Sequence, residues 1–171
     1  MKVNVAQVRR NENGIAHFDL EEDFSAYESE LNGLSFAAPV RVQLQVTNLG
    51  KSLLVLGKVQ TKFKTQCGCC LDDIIYPLEL SYEDEWVYGG MAMAEEEQSE
   101  SAFIFEKDEI EINERIFEQI VLALPMRFIC SPECQGLCPV CGVNRNHTSC
   151  ECVLEQTDPR LAALAQWSKR D

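Results

Sequence analysis

Histidine is nearly missing from this 171-residue chain, which has only His17 and His147. Hydrolytic zinc centres take His or carboxylate ligands and keep one position open for water, so a metal hydrolase is not expected. Also missing are a phosphate-cradling glycine loop, a Ser/His/Asp set and a deaminase-type H-x-E followed by P-C-x-x-C. A non-enzymatic protein with no small-molecule substrate is the expectation. No run approaches the about 20 apolar residues of a membrane helix, and residues 1–10 have no apolar segment of secretory type. We therefore expect a cytoplasmic location and no membrane association. Basic residues are scarce as well: 15 Lys and Arg stand against 28 Asp and Glu, for a net charge of −13. The acid is concentrated, since residues 79–118 hold fourteen acidic and two basic side chains. A field of this sign repels phosphate backbones at long range, which disfavours broad nucleic-acid binding and suits a basic protein partner.

Cysteine, by contrast, is abundant. An odd number of cysteines, nine, with no export signal implies a reducing compartment in which thiols stay reduced or bind metal. Six of the nine lie between Cys130 and Cys152. Cys138 and Cys141 are spaced C-x2-C within CPVCG, a zinc-knuckle sequence whose Gly lets backbone N–H groups turn towards sulfur. Cys150 and Cys152 follow as a second pair, and Cys67 with Cys70 forms another C-x2-C within Cys67-Gly-Cys69-Cys70. Two closures of a structural zinc site compete. Either Cys138, Cys141, Cys150 and Cys152 form a local set, or Cys67 and Cys70 join Cys138 and Cys141. Cys130 and Cys134 are a further pair, so without Cys69 eight thiols remain, enough for one zinc ion or two. His147 is an alternative ligand, although a lone His in a polar loop is more often solvated. A redox role for Cys67 and Cys70 is the competing enzyme reading. Such dithiols usually open a helix, however, and this pair sits in a turn between strands.

Hydrophobic periodicity predicts an α+β fold. Residues 40–47 alternate, with Val40, Val42, Leu44 and Val46 on one face. Residues 53–66 alternate again, Gly57 marking a bulge or a close backbone approach, and residues 74–82 make a third strand with Pro77 at a sheet edge or bulge. The result is an antiparallel β-meander or partly open barrel, with CGCC at a hairpin tip and helices as its cover. Residues 2–8 suggest a first strand and residues 103–105 another. The i, i+4, i+7, i+11 spacing of Leu20, Phe24, Tyr27 and Leu31 predicts a helix over residues 19–33, capped by Asp19. A second helix, capped by Asn113 and stopped by Pro125, carries a core-facing stripe of Ile116, Phe117, Ile120, Val121 and Leu124. Asp158 and Pro159 signal a short terminal helix. Residues 1–128 thus read as a β-rich core with an acidic loop near 94–100. Residues 129–171 read as a cysteine-rich metal-binding segment plus terminal helix, the two making a single folding unit. Lys58, Lys62 and Lys64 share one strand face. That is a weak RNA footprint, which the neighbouring Glu79 and Glu83 can balance across the sheet.

The order of motifs is a C-x2-C followed by Leu, an acidic stretch, ERIFEQIVLALP, then CQGLCPVCGVNRN…CEC and DPRLAAL. Over residues 40–164 it resembles the YceD-like proteins, known as large ribosomal RNA subunit accumulation proteins. The resemblance implies a factor needed for 23S rRNA accumulation and large-subunit biogenesis. Its expected partner is a ribosome-assembly protein or a pre-ribosomal RNA–protein particle. Two positions depart from the family pattern: Cys69 replaces an Arg between the hairpin cysteines, and Gln135 replaces a Lys after Cys134. Both remove positive charge, which favours a protein-mediated role. A zinc-ribbon regulator of nucleic acid is the remaining alternative.

Overall fold

Alternating strands give the chain its frame. The structure, a computed structural model, describes residues 1–31, 33–89 and 103–153. In chain order the elements are β1 (Lys2–Asn4), α1 (Ala6–Arg10), β2 (Ile15–Glu22), a 3-10 helix (Ser25–Glu30), β3 (Ser35–Asn48), β4 (Leu53–Gln66) and β5 (Asp73–Tyr88). β6 (Phe103–Phe105), β7 (Glu109–Glu111) and α2 (Asn113–Ala123) follow. Strands β2-β3-β4-β5-β6 form one sheet, antiparallel except for the parallel β5–β6 pair, while β1 and β7 make a separate antiparallel pair. The sheet is open. Of the expected meander or partly open barrel, the structure forms the open meander, with β2 and β6 as the outer strands among the described residues. The expected acidic loop at 94–100 and the terminal helix from Asp158 lie outside the described residues.

Two compact units result: Met1–Gln66 with Asp73–Phe128, and Cys67–Asp72 with Ile129–Asp171. The segment Cys67–Asp72, which a boundary at 128 assigns to the sheet, groups with the cysteine-rich segment. Among the described residues no helix is long and apolar enough to cross a membrane.

The first unit has its core on one face of the sheet. Val40, Val42, Val46, Val55, Val59 and Phe63 are all fully buried there, each burial stabilising by roughly 1.5–3 kcal/mol. Gly57 is a close approach rather than a bulge: the Tyr82 ring lies across it from the paired strand, and a Cβ at 57 would sit 2.1 Å from a ring carbon. Pro77 pairs with Lys62 of β4, and among the described residues β6 reaches only Trp86–Tyr88 on the other side of β5, so the proline lies along an edge stretch, where a missing N–H is tolerated. β5 runs six residues past Tyr82. Its inward position 84 is an aspartate, buried and bonded by Trp86 Nε1 at 3.1 Å and by Arg115 Nε and Nη2 at 2.9 Å each.

Residues 19–33 do not form the expected helix. Residues 15–22 pair with β3 from Ile15↔Thr47 to Glu22↔Val40, and these ladder bonds override the local helical spacing. Asp19 caps nothing; Asp23 instead accepts the Ser25 N–H at 2.8 Å and starts the 3-10 turn. The apolar residues still face inward, with Phe24 and Leu31 buried and Tyr27 stacked on Phe117 at 4.7 Å. Near the N-terminus the expected strand is shortened to β1, and α1 follows it. α2 forms where expected, except that Ile112 takes the cap position and Asn113 is buried, donating to Glu22. Leu124 turns extended ahead of Pro125. Ile116, Phe117 and Ile120 face the core, whereas Val121 does not: it is 44% exposed, and its neighbour Leu122 is 79% exposed.

Candidate metal centre

The second unit is built on two turns with the same geometry. Leu71 N–H donates to Cys67 O at 2.9 Å, and Gly142 N–H donates to Cys138 O at 2.8 Å. In both turns the residue after the second cysteine is left-handed, with φ 63° at Leu71 and 74° at Gly142. Backbone N–H groups from the first turn and from the facing segment point at the first sulfur. The N–H of Cys130 reaches Cys67 Sγ at 3.3 Å, and that of Cys69 reaches it at 3.5 Å.

Each turn completes a four-thiol set. Cys67 and Cys70 meet Cys130 and Cys134, while Cys138 and Cys141 meet Cys150 and Cys152, with all sulfurs of a set within 4.8 Å of one another. The structure therefore forms the local closure of the CPVCG segment. In the competing closure Cys67 and Cys70 would share Cys138 and Cys141; instead they pair with the C-x3-C of Cys130 and Cys134. Cys69 stands outside both sets, as does His147. No disulfide links any of the nine cysteines.

The donor sets fit a metal ion. Four thiolates about 2.3 Å from a tetrahedral centre stand about 3.8 Å apart. Cys67 and Cys134 sulfurs are 3.8 Å apart, and those of Cys70 and Cys130 are 3.6 Å apart. The protonation pattern agrees. Burial pushes the Cys67 thiol up, but the N–H groups of Cys69, Cys70 and Cys130 outweigh it and bring it down to about 6. The N–H groups of Cys141 and Val140 likewise bring Cys138 to about 6 against burial. Their neighbours move the other way. The Cys141 sulfur and burial drive Cys152 up to about 12, and burial with three nearby sulfurs raises Cys70 despite the Asp72 N–H. Close sulfurs cannot all ionise unless a cation joins them.

Residues between the cysteines bind the two sets together. Asn144 lies between Cys141 and Cys150, and its amide donates to Asp72 Oδ1 at 2.9 Å and to the Cys70 carbonyl at 3.4 Å. The Asn146 amide donates to Cys134 Sγ at 3.4 Å and draws that thiol down, while its oxygen accepts the Gln135 N–H. His147 Nε2 lies 3.0 Å from the other Asp72 oxygen. Asp72 also accepts from the Cys70 thiol, and its carboxyl sits below the usual range, held there first by Asn144. Leu137 N–H reaches the Cys69 carbonyl at 3.1 Å beside Gly136, where a Cβ would come within 3.0 Å of that same oxygen. Sequence spacing marks the eight cysteines but not Asp72, Asn144 or Asn146. Their one visible signal is the Asn-Arg-Asn turn within the second set.

The fold and the paired sets define a class: a β-meander protein with a cysteine unit able to hold two metal ions. The chain belongs to the family described as large ribosomal RNA subunit accumulation protein YceD, which matches residues 55–167. It is similar to the uncharacterized protein YlbN of Bacillus subtilis, 26% identical over the whole of this chain and 98% of that one. An uncharacterized protein of Mycobacterium bovis is 27% identical over 80% of this chain, which spans 66% of that relative's length. A chloroplastic protein of Zea mays, named large ribosomal RNA subunit accumulation protein YCED homolog 1, is 44% identical over 26% of this chain and 15% of its own. No solved structure matches.

Proposed function

We propose that this chain is a non-enzymatic factor required for 23S rRNA accumulation and large-subunit biogenesis, with structural zinc at both thiol sets. Membership of the YceD family carries the reading. The chemistry of the sites supports it: four thiolates fill a tetrahedral zinc and leave no position for water or substrate. Cys67, Cys70, Cys130 and Cys134 would hold one ion, and Cys138, Cys141, Cys150 and Cys152 the other. Bound there, zinc supplies cross-links and neutralises the thiolates. Asn144, Asn146 and Asp72 orient the ligands.

The partner is a ribosome-assembly protein or a pre-ribosomal RNA–protein particle in the cytoplasm. Protein contact is favoured over direct RNA binding for two reasons. The net charge is −13, and Lys58, a member of the basic strand face, is already engaged with Glu79 at 2.6 Å. Depleting the protein in its native host and quantifying 23S against 16S rRNA tests the reading. The ratio is expected to fall, with a deficit of large subunits in the sedimentation profile. An unchanged ratio with a normal profile would overturn it.

A further inference from the structure

The solvent side of α2 has a composition that neither the core nor the metal sets explain. Leu122 is 79% exposed and Val121 44% exposed, both on the last turns of the helix. Together with the 3-10 helix they border a groove of about 590 Å³. Its floor is aromatic, made by the stacked rings of Tyr27 and Phe117. Its rim is acidic, with Glu30 on one side and Glu114 and Glu118 on the other. Glu118 is bonded by Arg115 at 3.0 Å, whereas Glu30 and Glu114 have no ion pair among the described residues. Arg115 itself is forked onto the buried Asp84, so little positive charge is left to offset the rim. The field is felt on the floor as well: burial first, and then Glu114, Glu111, Glu22 and Glu30, push the Tyr27 hydroxyl up.

We infer that this groove docks a cationic amphipathic segment of a protein partner, with an apolar side chain on the aromatic floor and Lys or Arg against the glutamate rim. An apolar floor inside a charged rim is the usual form of helix-in-groove recognition. The rim decides the occupant. Phosphate backbones are repelled by it, and a second copy of the chain would set one acidic rim against another. The proposal goes beyond the ribosomal reading, and the two fail separately, because depletion reads the whole chain whereas peptide binding reads this groove alone.

The test uses the full chain and a fluorescein-labelled helical peptide of leucine and lysine, with leucines on one face, followed by anisotropy. A glutamate-for-lysine counterpart is the control. Binding of the lysine peptide is expected, weakening as salt rises, with none of the glutamate peptide. Leu122→Asp and the pair Glu114→Lys with Glu118→Lys are each expected to weaken it about tenfold. These side chains are exposed, so circular dichroism should show an unchanged fold. Glu83→Lys, on the opposite face of the sheet, is expected to leave binding within about twofold. Absence of binding would overturn the proposal, and so would equal weakening by Glu83→Lys, which reports bulk charge alone. A dimer in sedimentation that Leu122→Asp dissociates would assign the groove to a second copy instead.

Discussion

Leu71 holds a backbone conformation that suits glycine better than leucine. Its φ of 63° matches the 74° of Gly142 at the equivalent point of the other turn, and its side chain is 58% exposed. A left-handed L-residue costs about 1–2 kcal/mol, and the extra unfolded-chain entropy of glycine takes back up to about 1 kcal/mol. Leu71→Gly is therefore expected to raise metal affinity about twofold in competition with a chelator, and Leu71→Val to lower it severalfold. Weaker binding by the glycine variant would show that the turn is not strained. At this scale the eight clustered cysteines stand out, because close cysteine spacing is a local property of the sequence. Asp72 and Asn144 do not, since they meet 72 positions apart and a side-chain amide has no spacing signature.

Among the elements, β3 and β4 are legible from alternation alone, because each buries one face and wets the other. β2 is not, since its apolar residues also fit a helical period and only pairing with β3 decides between the two. The end of β5 is hidden by Asp84, a charge at an inward position. That residue is tolerable because α2 brings Arg115 to it and Trp86 supplies a second donor. Breaking a buried pair by removing one partner typically costs about 3 kcal/mol, since the other charge is left unmatched. Arg115→Met is thus expected to lower unfolding stability by about 2–3 kcal/mol in urea titration. Asp84→Asn with Arg115→Met should lose less than the arginine change alone, because no buried charge then remains. Equal losses would mean the pair is not coupled.

For the whole molecule, metal removal should act on one unit at a time. Among the described residues the sheet unit has its own core of twenty-one buried apolar residues, none of them a cysteine. Among its described residues the cysteine unit is built mostly of turns and has one isolated bridge, Leu137↔Asn144. Chelation is expected to abolish structure in the cysteine unit, read as loss of amide protection over residues 129–153, while protection persists in β3 and β4. Thiol titration gives the same result chemically. The metal-loaded protein should react at Cys69 alone, and the chelated protein at all nine cysteines. A reactive pair in the loaded protein would point to redox chemistry instead.

The order of the thiol pairs along the chain also sets a timetable for the proposed metal binding. A polypeptide leaves the ribosome from its N-terminus, so the β4–β5 hairpin appears with Cys67 and Cys70 already side by side, while Cys130 and Cys134 are still to be made. Half a ligand set holds an ion weakly, and the set closes only when the segment from Cys130 has emerged. The second set closes later still, at Cys152, and only then is the loop bearing Asn144 and Asn146 anchored at both ends. On the proposed zinc binding, capture at both sets therefore requires that synthesis has passed Cys152.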